Sequence, residues 1–422
     1  MFQCFCKDAC NASLQKHQQW KKLLLKAAYL KSHITEPAFE LLLEGEKKMK
    51  MVFAGGGTGG HLMVGLSTAE EISSRYHNAQ IYFFGTDKSF EQRCVEQRGF
   101  LFHQIRSKQL GKSLLDKIRF GVATLIGVFE SLIALKTIKP DVVVGLGGYA
   151  SAAPIIAAKL LSIPSVLLEQ NVIPGKANRF LAKWVDEVYC HWRGSLKWFS
   201  HAKVVRVTGT PIRKEIVQGQ KARAAQKFGL NPSKKTILIT GGSQGAQSIN
   251  EVMVKCLPKM EPLAGELQII HITGEYSYEM VKEAYSKTAI GAHVCSFLDD
   301  MGGAFSMADV IICRAGATTI AEITALGIPA ILIPYPHAAD NHQYWNAMEL
   351  VGNGGGYLIQ QLDLTPEKIL TLITELLDNK EKYDRMKMFN KGMGIPNAAR
   401  NVVDNLCRVI NVKGSQFALT VN

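Results

Sequence analysis

The chain has no framework of paired cysteines. Its nine cysteines are scattered over 422 residues. Cys4, Cys6 and Cys10 lie close together, but with none of the spacings that hold zinc. Cys94, Cys190, Cys256, Cys295, Cys313 and Cys407 fall mostly in apolar stretches and read as small core residues. This excludes a disulfide-stapled secreted scaffold and points to a reducing cytosol. Long hydrophobic runs are also missing. The apolar stretch 120–135 contains Glu130 and falls short of the ~20 residues that span a bilayer. No transmembrane helix is expected. Acidic residues are in short supply, 36 against 49 basic ones, for a net charge of +13. Such a surplus suits nucleic acid, an acidic membrane surface or a phosphorylated substrate, but also plain solvated lysine faces.

What is present is a regular alternation. From residue 49 onward, short β-branched runs alternate with helix-like segments. MVFA (51–54), IYFF (81–84), DVVVGL (141–146), SVLLEQ (165–170), EVYC (187–190) and VVRVTG (204–209) are strand candidates. Runs that are apolar at every position suit parallel strands buried on both faces. The pattern restarts at TILITGGSQGAQSIN (236–250), followed by LQIIHITG (267–274), HVCSFL (293–298), DVIICRAG (309–316) and PAILIPY (329–335). The fold expected is α/β: two tandem Rossmann-like, doubly wound domains facing across a cleft. The divisions are residues 49–208, 209–395 and a C-terminal helix and tail, 396–422, with the helix packing back on the first domain. Gly and Pro in GTPIRKE (209–215) mark the junction. Residues 1–48, with the basic amphipathic WKKLLLKAAYLK (20–31), show no strand pattern and read as a dispensable extension. A membrane-surface helix and a transit peptide are the other readings of that stretch.

The strand exits carry the chemistry. Five of the six residues 55–60 are glycine, and His61 follows. Glycines let backbone approach a ligand, and N–H groups at a helix start attract anions. Gly55-x-Gly57-x-x-Gly60 matches a dinucleotide fingerprint, but the acidic residue expected about 20 positions on is not there. Asp87 comes later, behind another glycine, which disfavours NAD. GLGGYASAAP (145–154) is a second glycine-rich exit, readable also as a close helix–sheet contact. In LEQNVIPGKANR (168–179), Glu169, Gln170 and Asn171 suit sugar hydroxyls or a loop cap. GGSQGA (241–246) repeats the anion-loop pattern in the second half, with Ser243 and Gln244 as donors. Two such loops fit a nucleotide diphosphate held across a cleft. In RAGATTIAE (314–322), Glu322 is either the last residue of a Thr319-x-x-Glu322 capping box or a carboxylate for two ribose hydroxyls. PHAADNHQ (336–343) gathers His337, Asp340, Asn341, His342 and Gln343 after a strand, a set suited to the rim of a sugar.

Taken in order, GGGTGGH, GLGGYASAAP, EQN, GTPIR, GGSQGA, FLDDM (297–301) and RAGATTIAE followed by PHAADNHQYWNA resemble the MurG family, from about Met49 to about residue 411. These are the N-acetylglucosaminyltransferases of peptidoglycan synthesis. The resemblance implies a GT-B fold. It implies inverting, metal-independent transfer of GlcNAc from UDP-GlcNAc to lipid I, the undecaprenyl-pyrophosphoryl-MurNAc-pentapeptide, giving lipid II with no cofactor. For the donor it implies Glu322 at the ribose and the Leu298 backbone at uracil. Ser243, Gln244 and Arg213 would lie near the diphosphate, with Ala317, Thr318 and Thr319 as helix N-terminal donors to it. His342 and Gln343 would meet the GlcNAc hydroxyls. Thr58, Gly59, Gly60 and Asn171 join the donor set and also face the acceptor pyrophosphate, as does His61. Gly57, Gly147, Gly148 and Tyr149 fall to the acceptor. Three positions depart from the family: Val64 stands for Pro, Thr210 for Asn, and His342-Gln343 for a Gln pair.

The implied chemistry gives His61 two alternative roles, beside the plain reading of a helix-start histidine that packs locally. One is general base for the attacking hydroxyl, suited by a reference pKa of about 6.5. The other is a protonated pyrophosphate ligand. Helix N-termini and Arg213 would stabilise the leaving UDP. The implied partners are UDP-GlcNAc, lipid I, other cell-wall synthesis proteins and the anionic inner membrane at its cytoplasmic face, with no nucleic acid. SKQLGKSLLDKIRFGVATLIGVF (107–129) mixes cations with large apolar residues and suits that surface or a buried amphipathic helix. Rival readings are a diacylglycerol glycosyltransferase, an NAD-dependent oxidoreductase and a non-catalytic nucleotide-sugar-binding subunit.

Overall fold

The short apolar runs become strands of two all-parallel sheets. The computed structural model describes residues 48–57, 59–109, 111, 113–242 and 244–413. Both sheets lie in one unit, Lys50–Asn422. The extension 1–48 lies, up to residue 47, outside the described residues, and so does the tail from residue 414.

The first sheet contains β1 (Lys50–Gly55), β2 (Gln80–Gly85), β3 (Leu101–Gln104), β4 (Val142–Gly147), β5 (Ser165–Glu169), β6 (Glu187–Cys190) and β7 (Val205–Val207). Their spatial order is β3-β2-β1-β4-β5-β6-β7. Helices α1 (Gly59–Arg75), α2 (Ser89–Glu96), α3 (Leu114–Ile138), α4 (Ala152–Leu160) and α5 (Lys176–Leu181) make the crossovers. Every pairing is parallel, with Val52 set between Tyr82 and Val143. Met51, Val52, Phe53 and Ala54 are all fully buried, as are Val142, Val143 and Val144. Helices cover both faces, which is why these strands are apolar without alternation.

After α6 (Lys214–Gln218) and α7 (Lys221–Phe228) the plan repeats. The second sheet contains β8 (Lys235–Thr240), β9 (Leu267–Ile272), β10 (Gly291–Cys295), β11 (Val310–Cys313), β12 (Ala330–Leu332) and β13 (Gly356–Leu358). Its order is β10-β9-β8-β11-β12-β13. The helices are α8 (Gln247–Met260), α9 (Tyr278–Ser286), α10 (Met301–Met307), α11 (Ala317–Leu326), α12 (His342–Gly352), α13 (Pro366–Asp378) and α14 (Lys380–Met393). Both sheets are thus doubly wound, and the order turns between β1 and β4 in one and between β8 and β11 in the other. Those turning points are where open α/β sheets bind ligands.

The last helix, α15 (Ala398–Lys413), returns to the first domain. Arg75 Nη2 meets Asp404 Oδ1 at 2.7 Å, and Asn401 Nδ2 donates to the Thr208 carbonyl at 3.2 Å. The interdomain linker is also pinned from within. His191 Nδ1 accepts the Thr210 N–H at 2.9 Å, so this imidazole must be neutral, and its burial lowers its pKa to about 4.

Two strands were not legible beforehand. β3 is an edge strand with mostly exposed side chains, and β13 is three residues long after a glycine run. Both owe their state to a partner strand rather than to their own pattern. The apolar stretch around 120–135 belongs to a longer helix than expected. Ser113 and Asp116 form a capping box, and α3 runs 25 residues to Ile138. By length and composition alone α3 can cross a membrane, contrary to the expectation from sequence.

Candidate functional site

The first wall of the cleft is the turn from β1 into α1. His61 stands in the first turn of α1 against the exit of β4. A Cβ on Gly147 would come 3.3 Å from the His61 ring, and one on Gly148 would come 3.6 Å from Nδ1. These glycines therefore give the imidazole its room. Tyr149 packs beside Gly57, where a Cβ would meet its ring at 3.0 Å. His61, Gly57, Gly147, Gly148 and Tyr149 thus form one cluster. Burial, reinforced by the charge of His342, lowers the His61 pKa to about 4. The side chain is neutral at pH 7. Thr58 lies outside the described residues.

The loop after β5 faces the second domain. Glu169 was a candidate for sugar hydroxyls, but its carboxylate is spent internally. It accepts from the Asn171 N–H at 2.8 Å, Gly175 N–H at 3.0 Å and Asn178 Nδ2 at 2.9 Å. Burial pushes its pKa up. Gln170 is likewise buried, with Nε2 reaching the Leu146 carbonyl at 3.4 Å. Only Asn171 of this trio reaches across. Its Oδ1 accepts from Asn346 Nδ2 at 3.0 Å, and Asn346 Oδ1 accepts the Val172 N–H at 2.9 Å.

The opposite wall is the N-terminus of α11. Its N-cap is Gly316, with no side-chain cap. Ala317, Thr318 and Thr319 form the first turn, and Glu322 lies within the helix. The capping-box reading of Glu322 is therefore wrong: the N-cap is Gly316, and Thr319 is already the third residue of the helix. Glu322 is 4% exposed, and its Oε1 accepts from Arg213 Nη2 at 3.0 Å. Burial raises its pKa, and Arg213 opposes that rise. Gly60 and Thr318 meet across the cleft, with Thr318 Oγ1 3.6 Å from where a Gly60 Cβ would stand. Gly59 is the first residue of α1 beside it. Gln244 is exposed on the turn after β8, and Ser243 lies outside the described residues. Leu298 is partly buried against the core of the second domain.

The polar segment after β12 folds into a short 3-10 turn, Ala339–Asn341, leading into α12. His342 Nδ1 lies 2.8 Å from the Ala339 carbonyl, and Gln343 Oε1 accepts the Tyr335 N–H at 2.9 Å. These two residues shape their own loop. Asp340 reaches the first domain, 2.8 Å from Arg179 Nη2 and 3.5 Å from Lys176 Nζ on α5. Arg314 braces the strand exit beneath, donating to the Ile333 and Pro334 carbonyls at 3.2 Å each.

Sequence reasoning missed Asn346 and the Asp340–Arg179 pair. Asn346 had one legible signal: it lies four residues after His342, on the same helix face. Its fully buried state had none. Chemically, the cleft offers two helix N-termini that meet at Gly60 and Thr318 and attract anions, with a neutral imidazole on one helix and a buried carboxylate paired to a guanidinium on the other. Among the described residues, no group of three or more His, Cys, Asp or Glu converges to hold a metal ion.

Comparison with known proteins agrees in both halves. Residues 51–190 match the glycosyltransferase family 28 N-terminal domain, and residues 236–402 match the family 28 C-terminal domain. The chain is 40% identical over 357 residues to the UDP-N-acetylglucosamine--N-acetylmuramyl-(pentapeptide) pyrophosphoryl-undecaprenol N-acetylglucosamine transferase of Thermodesulfovibrio yellowstonii, covering 84% of this chain and 97% of that protein. The Myxococcus xanthus protein of the same name is 37% identical, with 84% and 92% covered. Among solved structures, Acinetobacter baumannii MurG superposes with a TM-score of 0.68 at 29% identity, covering 85% of this chain and 99% of that one. A UDP-GlcNAc 2-epimerase from Neisseria meningitidis bound to UDP-GlcNAc shares the fold, with a TM-score of 0.62 at 16% identity, covering 85% and 99%.

Proposed function

The chain belongs to the MurG family of glycosyltransferase family 28, and from that premise we propose that it transfers GlcNAc from UDP-GlcNAc to lipid I, giving lipid II. The observation that carries the mechanism is the meeting of α1 and α11 at Gly60 and Thr318. Each helix aims its N-terminus at the same space. One end suits the acceptor pyrophosphate, the other the donor diphosphate, so the two anionic substrates come together at their reacting ends.

In the reaction, the acceptor hydroxyl oxygen bonds to the anomeric carbon of GlcNAc. The bond from that carbon to the β-phosphate oxygen breaks, and attack from the opposite face inverts the centre. Neutral His61 takes the hydroxyl proton on an imidazole nitrogen; its lowered pKa supports this role over a protonated one. The N–H groups at Ala317, Thr318 and Thr319 stabilise the departing diphosphate. Glu322 receives the ribose hydroxyls, and Arg213, now its partner at 3.0 Å, turns toward the phosphates. No metal is required for these steps.

The acceptor is a lipid, and α3 supplies a surface for it at the cytoplasmic face of the inner membrane. Leu115, Ile118, Val122, Leu125, Phe129 and Ile133 are all exposed, 52–72% each. Spaced three or four residues apart, they form one outward apolar stripe. Gly127, Ser131, Ala134 and Leu135 turn inward. Beside the stripe opens a largely apolar cavity of about 380 Å³, rimmed by Arg106, Lys108 and Arg119. Apolar residues ringed by cations suit peripheral docking on anionic lipid.

The test is transfer of labelled GlcNAc to a short-chain lipid I analogue in EDTA, with His61→Ala alongside. Transfer by the wild type and its loss in His61→Ala are expected. UDP binding without transfer would redirect the proposal to another acceptor, such as diacylglycerol. Absence of UDP binding would end it.

A further inference from the structure

The glycine turn after β1 is already wrapped around an anion, and that anion is part of the protein. Glu91, in the first turn of α2, is 2% exposed. Its Oε1 accepts the Gly57 N–H at 2.6 Å, and its Oε2 accepts the Thr86 N–H at 2.8 Å. The fit is close. A Cβ added at Gly56 would collide with this carboxylate, and one at Gly85 would come 2.8 Å from Oε2. Gly57 itself has φ +88°, open to glycine at little cost. On its other side, the Gly57 carbonyl accepts from Lys88 Nζ at 2.6 Å. One residue of the turn is therefore gripped at both its N–H and its C=O, and both grips come from the start of α2, the first from Glu91 in its first turn and the second from its N-cap Lys88.

This changes what the turn offers a ligand. The Gly57 N–H is committed to Glu91, so an acceptor pyrophosphate must find its donors further along, at the start of α1. A buried carboxylate behind an anion site repels an anionic ligand. Here it makes two charge-assisted hydrogen bonds to backbone, and the Lys88 ammonium at Gly57 offsets its charge. The gain is order. A run of glycines has wide conformational freedom, and freezing it upon binding would weaken affinity. Sequence offered no sign of this role, because SFEQRCVE (89–96) reads as an ordinary polar helix start.

We propose that Glu91 is a positioning residue for the acceptor half of the site. It holds the turn 55–57 in place, and with it the start of α1 and His61, before substrate arrives. It touches no substrate itself. The acceptor part of this inference rests on the proposed function above; the hold on the turn does not.

Two variants test it. Glu91→Gln keeps the shape but sets an NH2 group against one of the two N–H donors. Glu91→Ala removes both acceptors. Hydrogen exchange of the peptide 53–65 in the substrate-free full chain should quicken at least tenfold in both. The acceptor KM should rise at least tenfold in Glu91→Gln, while the UDP-GlcNAc KM stays within twofold of wild type. Unchanged exchange in Glu91→Gln would overturn the proposal whatever the activity, and so would an acceptor KM within twofold. A parallel rise in both KM values would also overturn it, since the effect would then be general. If Glu91→Ala does not fold, Glu91→Gln decides. If the wild type fails to glycosylate lipid I at all, the exchange result still judges the hold on the turn, and the two failures remain distinct.

Discussion

Replacing Glu322 by Ala separates a nucleotide ligand from a structural ion pair. In the free protein Glu322 is buried and bonded to Arg213 at 3.0 Å. Removing it leaves a guanidinium with 19% of its side chain exposed. Breaking a fully buried pair costs roughly 3–5 kcal/mol, but Arg213 can turn into the cleft water, so about 1–3 kcal/mol of stability should be lost. Donor binding loses more specifically. A hydrogen bond to a charged group contributes about 1.5–3 kcal/mol, and ribose can make two, against which the wild type must release Arg213. A net loss of about 2–3 kcal/mol makes UDP binding roughly 30- to 150-fold weaker. Titration calorimetry of UDP against wild type, Glu322→Ala and Glu322→Gln reads this directly, with thermal unfolding as control. Glu322→Gln should fall between the two, since it keeps the acceptor oxygen but not the charge. The reasoning is refuted if Glu322→Ala loses stability yet binds UDP within threefold of wild type. Acid should act in the same direction on donor binding but in the opposite direction on stability. Burial raises the Glu322 pKa above 4.5. The folded state therefore holds this proton more tightly than the unfolded one, so ionisation on raising pH through that range costs stability. With Glu322 at the ribose as proposed, donor binding should weaken as pH falls below the folded pKa.

Three further outcomes are expected. The His61 pKa is lowered to about 4, so kcat/KM for the acceptor should stay level well below pH 6.5; a rise on acidification through pH 6.5 would instead mark His61 as a cationic ligand. The same shift means that its contribution to stability is full above about pH 6.5 and is lost as pH falls toward 4, to be seen in acid unfolding of wild type against His61→Gln. Asn346→Ala should leave the partly buried Val172 N–H without its 2.9 Å partner, costing about 0.5–1.5 kcal/mol and loosening the domains, as a larger radius of gyration by X-ray scattering would show. Leu125→Glu with Phe129→Glu, at sites 72% and 65% exposed, should leave the melting temperature unchanged and cut cosedimentation with anionic vesicles at least tenfold; unaltered cosedimentation would remove α3 from the membrane surface.

The amino-acid sequence by itself determined the two doubly wound domains, because strands buried on both faces leave continuous apolar runs that need no knowledge of their neighbours. It also marked the strand exits, since glycine after an apolar run is a local signal. Tertiary structure decided the rest, where a residue's role depends on a distant partner. Thr319-x-x-Glu322 reads locally as a cap, and only the start of α11 at Ala317, with Arg213 brought in from 109 positions away, makes Glu322 a buried paired carboxylate. β3 and β13 are strands because a neighbour offers a ladder edge. Asn171 and Asn346 are separated by 175 positions, and no pattern on either helix or loop announces that they meet. Glu91 looks like a solvated helix residue until β1 and β2 lie side by side and the glycine turn closes over its carboxylate. Burial of a polar group depends on what packs against it, and packing is not a local property of the chain.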